Sequence, residues 1–340
     1  MDEPWQDAVV ERARRLLPPH VFRYLSAGAQ DEVTVGEARR AWAAVRFTPR
    51  VLHDVTGPVL TTSLLGQEFA SPIGIAPTSM QRLAHPEGEL AMAYAAAATD
   101  TLMVVSTNAG TSFEELAATG VRWWLQAYLT QDRALVRPVL ERAVAAGARA
   151  VVLTVDTPAV GTKRGIDDVD FGDLSGVYRV NHDEPSAALG AGHAADLGPA
   201  DIAWLGDVTG LPVVVKGVLG AADARRCVQA GARAVWVSNH GGRQLDRAVA
   251  TASALPAVVA SLEAEVEVYV DGGLSSGLDV LAALALGARG VFCGRLPLFG
   301  LVGEGTDGAV DVLTRLVAEL GEAMQLAGCA TVREARGIAS

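Results

Sequence analysis

The stretch Ser238-Asn239-His240-Gly241-Gly242-Arg243-Gln244-Leu245-Asp246 combines a base, a flexible turn and an anion grip. It follows Ala234-Val235-Trp236-Val237, a short apolar run of the kind that forms a buried parallel strand. His240 can accept a proton near neutral pH. Gly241 and Gly242 permit a tight turn and close approach of a ligand to the backbone. Arg243 can hold a carboxylate through two parallel hydrogen bonds. Taken alone, the stretch also fits a Gly-rich turn whose histidine merely caps a strand, so the other strand ends decide.

Those ends follow from an alternation that begins near residue 72. Apolar runs at 73–76, 102–105, 123–127, 150–155, 213–215, 234–237, 266–270 and 290–293 read as strands. Between them lie segments that read as helices, at 86–98, 112–119, 131–146, 199–208, 220–230, 253–262 and 276–286, with 308–327 after the last strand. Eight strands, each followed by a helix, predict an α/β chain folded as a (β/α)8 TIM barrel with right-handed crossovers. Gly147, Gly231 and Gly287 fall where helix C-caps would lead into short loops. Residues 1–60 read as a short N-terminal helical extension, with one helix at 11–17 stopped by Pro18-Pro19 and a further turn or two at 21–25. Residues 61–340 form the barrel, a single structural domain interrupted after the fourth strand by a Gly- and Asp-rich lid loop at about 160–198.

Function in such a barrel sits at the carboxyl ends of its strands. Here they carry, in order, Pro77-Thr78-Ser79-Met80, Ser106-Thr107-Asn108, Gln126 with Tyr128, Thr154-Val155-Asp156, Lys216-Gly217, His240 with Arg243, Asp271-Gly272-Gly273 and Gly294-Arg295. Each has an ordinary explanation as a turn former or a solvated charge. Polar groups or glycines at every end together point to a ligand. The last two glycine clusters suit a phosphate held by backbone N–H groups. Gln126, Thr154 and Lys216 would line a plane on which a flat polar ring could rest.

The remaining composition narrows the partners. With 39 acidic against 28 basic residues the net charge is −11, which argues against nucleic acid or an anionic membrane. Half of the 340 residues are hydrophobic, enough for a large α/β core. The acidic start Met1-Asp2-Glu3-Pro4 is no signal peptide, and no apolar run is long enough to span a membrane. Cys227, Cys293 and Cys329 are widely separated, without metal-ligand spacing, and read as reduced thiols of a cytoplasmic protein.

Several ordered motifs make the chain recognisable from about residue 8 to residue 336. They are Ile75-Ala76-Pro77-Thr78, His85-Pro86-Glu87-Gly88-Glu89, Thr154-Val155-Asp156-Thr157-Pro158, Val215-Lys216-Gly217-Val218, Ser238 to Asp246, Asp271-Gly272-Gly273, and Ala285-Leu286-Gly287-Ala288 with Gly294-Arg295. The chain resembles the FMN-dependent α-hydroxy acid oxidase and dehydrogenase family, whose members oxidise glycolate, lactate, mandelate or hydroxymandelate. The resemblance implies FMN as cofactor and a homotetramer. It would place Lys216 beside flavin N1 and the C2 carbonyl, with Gln126, Thr154 and Ser106 on the ring edge and the backbone of Ala76, Pro77 and Thr78 near N5. Asp271, Gly272, Gly273, Gly294 and Arg295 would hold the ribityl phosphate, and Ser238 would join the cofactor set. His240 would be the catalytic base, oriented by Asp156. Tyr128 would meet the substrate hydroxyl, while Tyr24 and Arg243 would bind its carboxylate.

Four departures accompany the match. Thr162-Lys163-Arg164-Gly165 stands where the family shows Arg-Arg-Glu, so either Lys163 or, with a one-residue slip, Arg164 would be the second carboxylate ligand. Lysine is a point charge rather than a fork, so the choice matters. Asn108 replaces a tryptophan of the short-chain enzymes and is expected to open the substrate pocket. Ser275 stands where a further phosphate-binding arginine is common, and Ser79 where alanine is usual. The expectation is oxidation of a 2-hydroxy acid larger than glycolate, mandelate-like, with oxygen or a soluble acceptor taking the electrons. Two alternatives remain: a relative oxidising a different secondary alcohol in a biosynthetic pathway, and a flavin-binding barrel with little activity.

Overall fold

The computed structural model describes residues 4–166, 177–182 and 192–340. The parts of the expected lid at 167–176 and 183–191 lie outside the described residues. Eight parallel strands close into a barrel: β3 (Ile73–Ile75), β4 (Leu102–Ser106), β5 (Trp123–Ala127), β6 (Val151–Thr154), β7 (Val213–Val218), β8 (Ala234–Val237), β9 (Glu267–Val270) and β10 (Gly290–Cys293). They follow one another around the ring in chain order, and β10 closes on β3 through Val291 and Ile73. The (β/α)8 architecture expected from the alternation is therefore the one observed.

The strands are continuous apolar runs because both of their faces are covered. On β8, Ala234 and Trp236 point into the barrel while Val235 and Val237 pack outward against helices. The interior is filled by Trp124, Trp236, Tyr269 and Phe292, all essentially inaccessible. Trp236 and Phe292 lie with ring centroids 4.0 Å apart, and Tyr269 donates to Glu267 at 2.7 Å. Below them a hairpin absent from the sequence reading, β1 (Thr62–Leu64) and β2 (Gln67–Phe69), adds Leu64 and Phe69 to this inner core. The barrel is thus plugged at its amino end, and only its carboxyl end is open to ligands.

The outer ring comprises α4 (Gly88–Ala98), α5 (Phe113–Ala118), α6 (Arg137–Ala145), α7 (Pro199–Thr209), α8 (Ala221–Gln229), α9 (Thr251–Ala260), α10 (Gly277–Ala285) and α12 (Gly305–Leu326). The helix expected at 131–146 is split, with a short 3-10 turn before α6, whose second position is Pro138. Ahead of the barrel run α1 (Trp5–Leu16), α2 (Pro19–Ser26) and α3 (Val33–Ala43). The first begins six residues before the expected helix, directly after Pro4, and ends before Pro18 as expected. The third had no sequence signal, because Val33-Thr34-Val35 opens it with β-branched residues. It is tied to the barrel mouth by Trp42, whose indole N–H donates to the Gly272 carbonyl at 2.9 Å. Among the described residues no helix is long and apolar enough to cross a membrane.

One further helix, α11 (Arg295–Leu301), was not anticipated; it is short, buried and contains Pro297. It sets the position of Arg295 at its first turn. Its approach to α12 depends on two glycines: a Cβ added at Gly308 would lie 2.1 Å from the Gly300 carbonyl oxygen. Gly308→Ala should therefore cost about 1–3 kcal/mol of stability by overpacking. It should also shift α11, so chemical denaturation and FMN retention should both weaken; an unchanged unfolding midpoint would contradict this reading of the contact.

Candidate active site

His240 leaves β8 in a left-handed conformation, φ 56°, and the turn continues through Gly241 and Gly242, also at positive φ. Its backbone N–H donates to Ser238 Oγ at 3.0 Å, which fixes the ring's origin. Its Nδ1 lies 2.8 Å from Asp156 Oδ1, beyond the end of β6. Asp156 can approach because Gly217 lies alongside; a Cβ there would sit 2.7 Å from the Asp156 side chain. Burial alone would raise the Asp156 carboxyl, yet His240, Lys216 and Thr157 together hold it below its ordinary value. An ionised carboxylate at Nδ1 takes the N–H there, leaving Nε2 as the acceptor. The Tyr128 hydroxyl lies 3.4 Å from Nε2. Burial, then the Asp156 charge, pushes that phenol far above its usual value, so it stays protonated and able to donate.

Lys216, at the end of β7, is buried with its Nζ 2.9 Å from Ser238 Oγ and 3.1 Å from Asp271 Oδ2. Ser238 Oγ donates to Asp271 Oδ1 at 2.6 Å. On the neighbouring strands Gln126 donates to Thr154 Oγ1 at 3.0 Å, both side chains buried. Lys216, Asp271, Gln126 and Thr154 line one side of a cavity of about 800 Å³ that also receives Ala76, Pro77, Thr78, Ser106 and Asn108.

At another edge of the cavity are Gly272 and Gly273, at φ 92° and 89°, with Ser275, Gly294 and Arg295. Arg295 donates to the carbonyls of Gly241 at 2.6 Å and Ala27 at 3.3 Å, and among the described residues it pairs with no carboxylate. Burial, and then the neighbouring Arg243 guanidinium, push Arg295 down to about 10. A half-buried guanidinium whose hydrogen bonds among the described residues go to neutral carbonyls is suited to an anion from outside the chain. Ser275 does not face that anion as a free donor: its N–H donates to Asp279 at 2.8 Å.

The substrate side differs from expectation in four places. Arg243 does not offer its whole fork, because Nη1 donates to the carbonyls of Tyr24 and Ala27, each at 2.8 Å. Its guanidinium lies over the Tyr24 ring at 5.2 Å and also hydrogen-bonds the Tyr24 side chain. Arg164 is outside the cavity, 64% exposed and paired with Asp31 at 2.7 Å, whereas Lys163 lines it. Asn108 does not leave an opening: Arg179 Nε donates to its Oδ1 at 2.9 Å and fills the space beside it. Ser238, expected on the cofactor, stands behind the cavity wall and supports Lys216 rather than lining the pocket, whereas Asp156 lies against His240 Nδ1, where the orienting role expected of it requires.

Sequence reasoning also missed Gln244, Tyr178, Arg179 and His193. Gln244 binds Thr157 at 2.7 Å and accepts from the Gly161 N–H at 2.8 Å, bracing the loop that carries Lys163. It lies within the opening stretch, so its proximity to His240 was a usable signal. The other three line the cavity from the connection after β6, where no periodicity marks them. His193 stacks on Tyr128 with centroids 4.4 Å apart.

The model of the family described as FMN-dependent dehydrogenase matches residues 13–338. The chain belongs to that family. Glycolate oxidase of Spinacia oleracea is 42% identical over 95% of this chain and 91% of its own length. L-lactate oxidase of a Nostoc strain is 41% identical over 95% and 93%. Among solved structures, mandelate oxidase with 2-hydroxy-phenylacetamide superposes with a TM-score of 0.91 at 39% identity, covering 97% of this chain and 96% of that one. A lactate oxidase of Pediococcus acidilactici gives a TM-score of 0.93 at 32% identity, covering 98% and 93%. The enzyme is thus an FMN-dependent dehydrogenase of the 2-hydroxy acid oxidase type, and its half-buried Arg295, paired with no carboxylate among the described residues and beside Gly272, Gly273 and Gly294, fits the FMN phosphate.

That fit has a direct check. Inorganic phosphate should raise the melting temperature of the flavin-stripped dehydrogenase, and Arg295→Leu should abolish the rise. The same change should weaken FMN binding by roughly 10- to 100-fold, the worth of one hydrogen-bonded charge. An equal phosphate response in both proteins would place the anion elsewhere.

Proposed function

We propose that the protein oxidises an (S)-2-hydroxy acid larger than glycolate, of mandelate-like size, to the 2-oxo acid. The observation that carries this reading is His240 with its Nδ1 on Asp156 and its Nε2 turned toward Tyr128 on the cavity side. FMN, when bound, takes the two electrons and the hydrogen from C2 of the substrate. His240 Nε2 takes the hydroxyl proton as that hydrogen leaves, and Asp156 stabilises the resulting imidazolium. Tyr128, kept protonated by burial, donates to the substrate oxygen. The carboxylate binds at the cavity-facing guanidinium of Arg243 together with Tyr24, with Lys163 as the further cation lining the cavity. Lys216 supplies positive charge on the FMN side and is kept in place by Asp271 and Ser238.

Cofactor assignments follow the same division. Gln126, Thr154 and Ser106 meet the ring edge; the backbone of Ala76, Pro77 and Thr78 covers its reactive face; Gly272, Gly273, Gly294 and Arg295 take the phosphate. Oxygen or a soluble acceptor takes the electrons on, and the reading includes a cytoplasmic homotetramer, which light scattering tests. The point charge of Lys163 in place of a guanidinium fork favours the second reading, oxidation of a different secondary alcohol.

Purified protein should be yellow with about one FMN per chain, the stoichiometry one such cavity allows. Anaerobic addition of a suitable (S)-2-hydroxy acid should bleach it, and air should restore the colour. His240→Gln should keep FMN while slowing bleaching on the order of 10²–10⁴-fold, the usual yield of a positioned base. A variant that bleaches at the normal rate would remove His240 from the proton transfer. Bleaching by other secondary alcohols alone would favour the second reading, and no bleaching by any alcohol would leave a flavin-binding barrel.

A further inference from the structure

Arg179 is a buried cation that the oxidation proposed above does not use. It is 7% exposed, lines the cavity and adopts a left-handed backbone conformation, φ 54°. Its Nε donates to Asn108 Oδ1 at 2.9 Å, and its N–H to the Asn108 carbonyl at 3.4 Å. Its Nη1 is buried without a hydrogen-bond partner, and no carboxylate among the described residues pairs with it. An amide oxygen orients a guanidinium but does not balance its charge. A guanidinium left in this state is completed by an anion that enters the cavity.

The surroundings say where that anion belongs on the substrate. Asn108 follows β4, and Arg243 follows β8. These strands are four places apart in the closed ring of eight, so they stand on opposite sides of the mouth. Lys163 belongs to the Arg243 side, since its loop is tied through the Gly161 N–H to Gln244 at 2.8 Å. Near Arg179 the other titratable groups include His193, Tyr178, Tyr128 and His182, whose backbone N–H donates to the Arg179 carbonyl at 3.2 Å. Burial, then the Arg179 charge, holds His193 below its ordinary value, so it adds no second cation. Arg179 is the permanent cation on this side of the cavity among the described residues.

We propose that Arg179, oriented by Asn108, binds a second acidic group on the substrate's side chain. The substrate class is then 2-hydroxy acids bearing a distal carboxylate, with the C1 carboxylate on the Arg243 side and the second one across the mouth. This rests on the 2-hydroxy acid reading above and narrows it. The replacement of a bulky residue at position 108 by Asn108 acquires a purpose: it makes room for the guanidinium and gives it an acceptor.

The experiment uses the FMN-loaded enzyme and three pairs of acids, each differing in one terminal charge. The pairs are (S)-malate and its C4 amide, (S)-2-hydroxyglutarate and its C5 amide, and 4-carboxymandelate and mandelate. Anaerobic flavin reduction gives kcat/KM for each. At least one diacid should exceed its neutral partner by tenfold or more, and Arg179→Met should lower that ratio by roughly 10- to 100-fold, chiefly through KM. Arg179→Lys should restore part of the ratio, and Asn108→Ala should lower it to an intermediate value, as expected of a positioning residue. FMN content and melting temperature confirm that each variant is folded. Neutral partners preferred in every pair, or a ratio unmoved by Arg179→Met, would overturn the proposal. If none of the six acids reduced the flavin, the oxidase reading would fall. Binding of the same diacids, read as a shift in flavin absorbance, would still decide Arg179: tighter binding than the amides that is lost in Arg179→Met supports it, and equal binding refutes it.

Discussion

The hydroxyl of Ser238 holds the reactive end of the barrel together. It accepts from Lys216 Nζ on β7 and from the His240 N–H beyond β8, and it donates to Asp271 after β9. One donor and two acceptor sites are thereby all used. The ion pair it joins is almost completely buried, with side-chain exposures of 4% and 9%. Such a pair contributes little net stability once desolvation is counted, but it does tolerate only one arrangement of its members. Three adjacent strand ends are registered by it, and the positions of both the Lys216 ammonium and the His240 backbone depend on that register.

Around this network the molecule separates its charges in an unusual way. The chain as a whole carries −11, yet the cavity is lined by Lys163, Arg179, Lys216, Arg243 and Arg295. Only Lys216 has a buried carboxylate partner among the described residues. Arg243, Arg295 and Arg179 are held by neutral oxygens: carbonyls of Tyr24, Ala27 and Gly241, and the Asn108 amide. Neutral acceptors fix the direction of a cation without cancelling its field. In a pocket away from bulk water that field is weakly screened, so the arrangement is suited to several anionic groups bound at once. An acidic exterior around a cationic cavity also discourages large polyanions, while leaving small ones free to enter.

All eight barrel strands were readable because they are buried on both faces, and continuous apolar runs flanked by glycine are their direct consequence. The elements that were not readable share a physical reason. The hairpin β1–β2 has strands of three residues, too short for any periodicity. Helix α3 opens with β-branched residues, and α11 is buried all round, so neither shows an amphipathic pattern. At the site, residue types placed His240, Lys216 and the glycine turns at the cavity, since strand ends limit where their side chains can go. They could not disclose that Arg243 commits Nη1 to backbone carbonyls, that Arg164 turns outward to Asp31, or that Ser238 stands behind the pocket. Those outcomes depend on which oxygen is nearest in space, which linear spacing does not encode.

The same distinction separates two parts of the pocket wall. The groups assigned to FMN sit on strands or in the turns directly after them, where a changed side chain disturbs barrel packing as well as binding. Lys163, Tyr178, Arg179 and His193 sit in the connection after β6, anchored at separate points: Gly161 through Gln244, Arg179 through Asn108, and Asn181 through the Thr111 carbonyl at 2.9 Å. A loop held by a few side-chain contacts can exchange its cavity-facing residues without altering strand register. Asn108 is where the two regimes meet, since it follows a strand and receives a loop residue. A tryptophan there would fill the mouth with its own ring; an amide instead delegates that volume to Arg179. The identity of one strand-end residue thereby determines whether the wall of the pocket facing Arg243 is apolar or cationic, and so which side chains a 2-hydroxy acid can bring into it.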